Sequence, residues 1–433
     1  MKRYDLMHPW EVYGGQLAVE YRQCVEEGLP VEELKPLFDA IAAMPVGEER
    51  ENMAAELNKH IRGLKVREDY PYCEPNGYEE ILALRPADRP VLPAPEKEGL
   101  ARRVENAWLG RVCGCLLGKP VEGWKSWDIE KLCRETGNYP LSRYMEGPES
   151  GCFVNRLKGY MPHDDDTNYT VMACEKLLEA YGRDFTSENV ARVWLNTQPM
   201  SAYCTAERVA FRNFVEGYFP PESAVYKNPY REWIGAQIRG DYFGYINPGD
   251  PEAAAEMAWR DARISHVKNG IYGEMWAAAM IAAAAVCPDI ETCIRAGLGE
   301  IPATSRLHEA VSQVINWHRK GITQKEAFAR IHEGYNESDG HDWCHTISNA
   351  MIVTASLLYG GGEFGRSICM AVETGFDTDC NGATVGSVLG MMGAKIGPEW
   401  SGPVNGTVET TLFGLQMAPI AQMAEKAMRH MKA

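Results

Sequence analysis

The sequence predicts an all-α protein. Apolar residues recur at three- and four-residue spacing, stretches rich in Ala, Leu and Met are separated by Gly, Pro or Asn, and runs of alternating β-branched residues are scarce. From Trp10 to about Leu64 the sets Leu17, Val19, Tyr21, Val25 and Leu34, Leu37, Ile41, Met44 predict two or three amphipathic helices. Pro86, Pro90, Pro93 and Pro95 then remove backbone donors and favour an extended connector. The expected division is an N-terminal helical extension with its Pro-rich connector over residues 1–98 and a helical domain over 99–433.

Composition narrows the function. A chain of 433 residues with 45% hydrophobic content buries a sizeable core. Its 44 Lys and Arg against 60 Asp and Glu give a net charge of -16, which argues against nucleic-acid polymers and against anionic membrane surfaces as partners. A small anionic ligand is still allowed, because bound cations invert the potential inside a cleft. The apolar run Met275 to Cys287 is too short to span a bilayer and is broken by Pro288. The start, Met1-Lys2-Arg3-Tyr4-Asp5, does not resemble a signal peptide. Thirteen cysteines without CxxC pairing read as free thiols, so a cytoplasmic location is expected.

Two predicted helices carry glycine every four residues: Gly110, Gly114 and Gly118 in one, and Gly382, Gly386 and Gly390, continued by Ala394, in the other. Each helical glycine costs roughly 1 kcal/mol relative to alanine, and close helix approach is the simplest compensation. Beside these rows lie acidic groups. Asp164-Asp165-Asp166-Thr167 runs into the helical pattern Tyr169, Val171, Met172, Leu177, Leu178. One aspartate would cap the helix, but two carboxylates about 4 Å apart repel by roughly 4 kcal/mol at an effective dielectric near 20. Either they splay into water or a cation holds them. Three consecutive aspartates converge only where a loop turns into a first helical turn. Asp377 and Asp379 stand two apart, which places both on one side of an extended segment. Carboxylates suit hard cations such as Mg²⁺ or Mn²⁺.

The ordered set GxxxGxxxGxPVE, DDDT before a helix, and DTDxxGA leading into a glycine-row helix resembles the ADP-ribosylglycohydrolase family over about residues 99 to 400. That resemblance implies an orthogonal multi-helix bundle with two divalent cations, usually Mg²⁺, gripping ribose hydroxyls. Asp164, Asp165 and Asp166 match the first ligand motif, in which Asp164 replaces the usual threonine. Asp377 and Asp379 match the second. Cys380 stands where a threonine is common, and a thiol is a poor partner for Mg²⁺. Glu122, Asp165 and Asp166 are the implied catalytic carboxylates. Arg239, Asp241 and His266 match segments near the distal ribose and phosphates, with a structural ion pair the equal alternative for Arg239.

The implied activity is hydrolysis of an N-glycosidic bond to ribose, in an ADP-ribosylated protein side chain or an ADP-ribose derivative. The alternatives are an N-ribosyl hydrolase of a nucleoside-like metabolite and a catalytically silent binding or structural member of the family. Trp124, Trp127, Tyr203, Phe243 and Tyr245 lie near the motifs and are candidates for stacking on a base, with core packing the default. His341 and His345 are spaced like a helical zinc pair, but no third ligand is evident and zinc is not expected there.

Overall fold

The computed structural model describes residues 2–147 and 152–432. The three amphipathic segments of the extension are helices, Leu17–Glu26, Lys35–Ala42 and Glu48–Ile61. Their periodic residues Leu17, Phe38, Ile41, Leu57 and Ile61 bury one another in a small core separate from the main one. Leu37, of the same apolar set, faces solvent instead. The extension is fastened to the rest of the chain by ion pairs, buried at Arg231 and half-exposed at Arg22. Arg231 meets Glu20 at 2.9 Å and Glu27 at 2.6 Å, and Arg22 meets Asp342 at 2.8 Å.

The main body is helical and built around Asn269–Ala284, a helix buried at every position. A helix apolar on all sides belongs in a core, which explains the Met275 to Cys287 run. Among the described residues no helix is long and apolar enough to cross a membrane.

The two glycine helices, Leu100–Gly118 and Thr378–Met392, lie antiparallel with their backbones in contact. A Cβ on Gly114 would overlap the Gly382 carbonyl, one on Gly110 the Gly386 carbonyl, and one on Gly390 the Asn106 carbonyl. The close approach expected from the glycine rows is therefore made between the two rows themselves. At the end of this pair Gly118 abuts Thr378 and Asp379, which fixes the start of the second helix against the end of the first.

One departure from pure helix is a hairpin of β1 (Thr407–Leu412) and β2 (Leu415–Pro419), with Val408 opposite Ala418. Along β1 the buried residues alternate, Val408, Thr410 and Leu412 inward. Its short Thr-Val-Glu-Thr-Thr-Leu pattern is a period-two signal that the surrounding helical periodicity obscures.

Candidate metal centre and active site

The hairpin positions the first acidic segment. The Met161 N–H donates to the Thr407 carbonyl at 2.9 Å and the Glu409 N–H donates to the Met161 carbonyl at 2.8 Å, so residues 161–163 run extended beside β1. Asp164 then caps the helix Asp165–Met172, its Oδ1 accepting the Asp166 N–H at 3.0 Å. The loop-to-helix context expected for the triplet is thus present.

The second segment enters through Gly375 and Phe376, at φ +77° and +59°. Left-handed backbone is rare for a bulky residue and costs on the order of 1–3 kcal/mol, so the surroundings must enforce it. Asp377 immediately precedes the helix Thr378–Met392, and Asp379 lies in its first turn. The two carboxylates therefore converge at a helix start, and the extended-segment geometry expected from their spacing does not apply.

Two donor groups result, each with all ligand atoms within 4.8 Å of one another. The first is Cys115, Asp164, Asp166 and Asp379; the second is Asp377, Asp379 and Cys380. Asp379 belongs to both. The Cys380 thiol donates to Asp166 Oδ2 at 3.2 Å across 214 residues of chain, and the Cys344 thiol donates to Asp377 Oδ2 at 3.3 Å. Asp377 Oδ1 and Asp379 Oδ1 are buried without a hydrogen-bond partner.

Three contributors were not singled out from sequence. Arg111, buried on the first glycine helix, donates Nη2 to the Asp166 carbonyl at 2.7 Å and places Nη1 2.9 Å from Asp241. Lys119 sets its Nζ 2.6 Å from Asp164 Oδ2. Cys115 stands between them. Arg111, Cys115 and Lys119 are four apart, each one residue beyond a glycine of the row, so the helix that presents its glycines to one neighbour presents this face to Asp164–Asp166. That spacing was the readable signal.

Electrostatics follow from the crowding. Burial, then the charges of Asp164 and Glu207, push Asp165 up to about 7. Glu122 is exposed, yet desolvation by the protein around it, then the Asp377 and Asp164 charges, push it up to about 8. Burial also raises Asp377, Asp379 and Asp166. Asp164 is the exception: burial opposes its charge, but the Lys119 ammonium holds it below the usual carboxylate range. Folded values above the unfolded ones mean that stability present below about pH 4 is lost as pH rises through 7 to 8. The metal-free protein is accordingly expected to melt at progressively lower temperature from pH 5 to pH 8.5. Divalent cation should reverse that trend, and calorimetry in buffers of different ionisation enthalpy should record proton release on binding. A melting temperature that climbs with pH in the metal-free protein would contradict this.

The remaining sequence candidates lie elsewhere. Arg239 is buried at the hub of an ion-pair cluster, 2.6 Å from Asp261, 2.8 Å from Glu207 and 3.5 Å from Glu274, with its guanidinium over Trp194. With its fork so engaged it offers no donor to a phosphate in this structure, and the ion-pair alternative describes its placement. Asp241 is buried against Arg111, and His266 is buried with its Nδ1 on Ser265 Oγ at 2.8 Å. Tyr203, Phe243 and Tyr245 are core residues, whereas Trp124 and Trp127 are exposed.

His341 and His345 do gain a third group, Glu26 of the extension, at 3.2 and 3.5 Å from their Nε2 atoms. The Trp233 indole N–H donates to His341 Nδ1 and the Ile347 N–H donates to His345 Nδ1, both at 3.2 Å. Both Nδ1 atoms are acceptors, so both Nε2 atoms carry protons toward Glu26. The trio holds the extension at ion-pair distance, with no lone pair directed at a metal.

No curated protein matches the chain. A solved structure described as an ADP-ribosylglycohydrolase-related protein complex aligns over 77% of this chain and 100% of that chain, with 19% identity and a TM-score of 0.45. The family model for ADP-ribosylglycohydrolase matches residues 96–431. Since that span takes in both glycine helices and both aspartate segments, the chain belongs to the ADP-ribosylglycohydrolase family.

Proposed function

We propose that the chain hydrolyses the N-glycosidic bond between ribose and a nitrogen leaving group, in an ADP-ribosylated protein side chain or an ADP-ribose derivative, with Mg²⁺ or Mn²⁺ held by the carboxylate cluster. One observation carries the reading: Asp377 and Asp379, buried and each with an unpartnered oxygen, meet Asp166 from a distant part of the chain. A buried carboxylate oxygen left without a partner is costly, and a hard cation is the ligand whose chemistry matches it. Asp164, Asp165, Asp166, Asp377 and Asp379 form the ligand pool, with Cys380 the weakest member. When bound, such a cation supplies charge stabilisation and grips vicinal hydroxyls.

The chain's own groups do the rest. Asp165 and Glu122 stand at the open edge, and their raised pKa values suit taking a proton from an attacking water near neutral pH. Arg111 positions Asp166 by holding its carbonyl. Trp124 and Trp127 offer exposed faces for a base or leaving group. Asp241 supports the site through Arg111, while Arg239 and His266 are buried away from the carboxylates of the ligand pool. Thirteen unpaired cysteines suit the cytosol. A nucleoside-like riboside is the second reading, since the exposed tryptophans would stack on a free nucleobase equally well.

A substrate panel decides. With Mg²⁺ or Mn²⁺ present, ADP-ribosyl-arginine or another ADP-ribose conjugate is expected to release ADP-ribose, and chelation should stop the reaction. Turnover of nucleosides alone would assign the second reading. Stoichiometric cation binding without turnover of any riboside would sink the hydrolase assignment.

A further inference from the structure

We infer that the Lys119 ammonium stands in one of the two cation subsites, so that the folded protein takes a single divalent cation, at Asp377, Asp379 and Cys380. This rests on the reading that the carboxylates hold a divalent cation at all.

The two donor groups share Asp379 but differ in what already satisfies them. In the first, Asp164 has both oxygens engaged, Oδ2 by Lys119 Nζ at 2.6 Å and Oδ1 by the Asp166 N–H at 3.0 Å. Asp166 accepts the Cys380 thiol at 3.2 Å and faces Arg111 Nη2 at 3.4 Å. In the second, Asp377 Oδ1 and Asp379 Oδ1 have no partner, although these residues are only 3% and 2% exposed. The missing positive charge is therefore beside Asp377 and Asp379.

Lys119 is well placed to hold the first position. It follows Cys115 by one helical turn, at the end of the Leu100–Gly118 helix, and its side chain is largely enclosed at 18% exposure. An ammonium in hydrogen-bond contact with Asp164 repels a divalent ion from the same donors and takes up the charge they would lend it. The protein then has one fixed cation and one exchangeable cation in a single carboxylate nest.

Metal stoichiometry tests this without reference to turnover. Titration of the full-length protein with Mn²⁺, followed by calorimetry and by electron paramagnetic resonance, is expected to give one equivalent in the wild type. Lys119→Met should admit a second equivalent and produce the spin coupling of two neighbouring Mn²⁺ ions, while Lys119→Arg should keep one. Two equivalents in the wild type would overturn the inference whatever the variants do, as would a single equivalent in a folded Lys119→Met protein. No Mn²⁺ binding in the wild type would overturn the functional reading as well, so the two failures are distinguishable.

Discussion

Asp379→Asn is expected to weaken divalent-cation binding by more than about 100-fold and to lower riboside turnover by roughly 10³-fold, the scale of losing one electrostatic group from an active site. Asp379 is the residue common to both donor groups, so no rearrangement of the others replaces it. Asparagine keeps the shape and one carbonyl oxygen, which makes the loss one of charge. The metal-free protein should respond in the opposite sense. Burial, then Glu122 and Asp164, disfavour the Asp379 carboxylate, so its removal should stabilise the metal-free fold near pH 8. Melting curves with and without Mn²⁺ check both halves: the variant should start higher than wild type and gain nothing from the cation. Wild-type affinity in a folded Asp379→Asn protein would remove this residue from the centre.

Gly114→Val is expected to be the most destabilising single change, by more than about 4 kcal/mol, enough to unfold many domains. Even Gly114→Ala should be severe. Alanine gains roughly 1 kcal/mol of helix propensity, but its Cβ would overlap the Gly382 carbonyl, and neither backbone can yield without parting the two helices. Parting them moves Lys119 and Arg111 away from the aspartates, so cation binding should fail in parallel with the fold. Gly334→Ala is the control. Nothing lies within 4 Å of its Cβ position, and its stability should change by less than about 1 kcal/mol. Denaturant unfolding of the three variants checks the order, and a Gly114→Ala protein as stable as wild type would refute the backbone-contact account.

Much of this architecture was legible in the chain. Helical period marked the extension, glycine spacing announced close helix approach, and the aspartate triplet before a helix gave a cap with charge to spare. Local signals report local geometry, and these features are local. What they could not give was the partner. The glycine rows did not say that they face each other, and the Asp377 and Asp379 spacing suggested an extended approach to the helix, whereas Asp379 already lies in its first turn. His341 and His345 lacked a third group because Glu26 is more than three hundred residues earlier.

Burial decided the remaining roles. A guanidinium reads the same in sequence whether it awaits a phosphate or is already matched by carboxylates, and Arg239 proved to be enclosed by Glu207, Asp261 and Glu274. Lys119 and Cys115 were hidden in a motif read for its glycines and for Glu122, since their meaning depends on Asp164, 45 residues from Lys119 in the chain. By itself the sequence determined which helices form, where they must touch and how much negative charge they bring, because propensity, period and composition are properties of neighbouring residues. Only the tertiary structure decided which charges are already neutralised and which carboxylate oxygens are left bare, because pairing and desolvation depend on atoms that the chain brings together from afar.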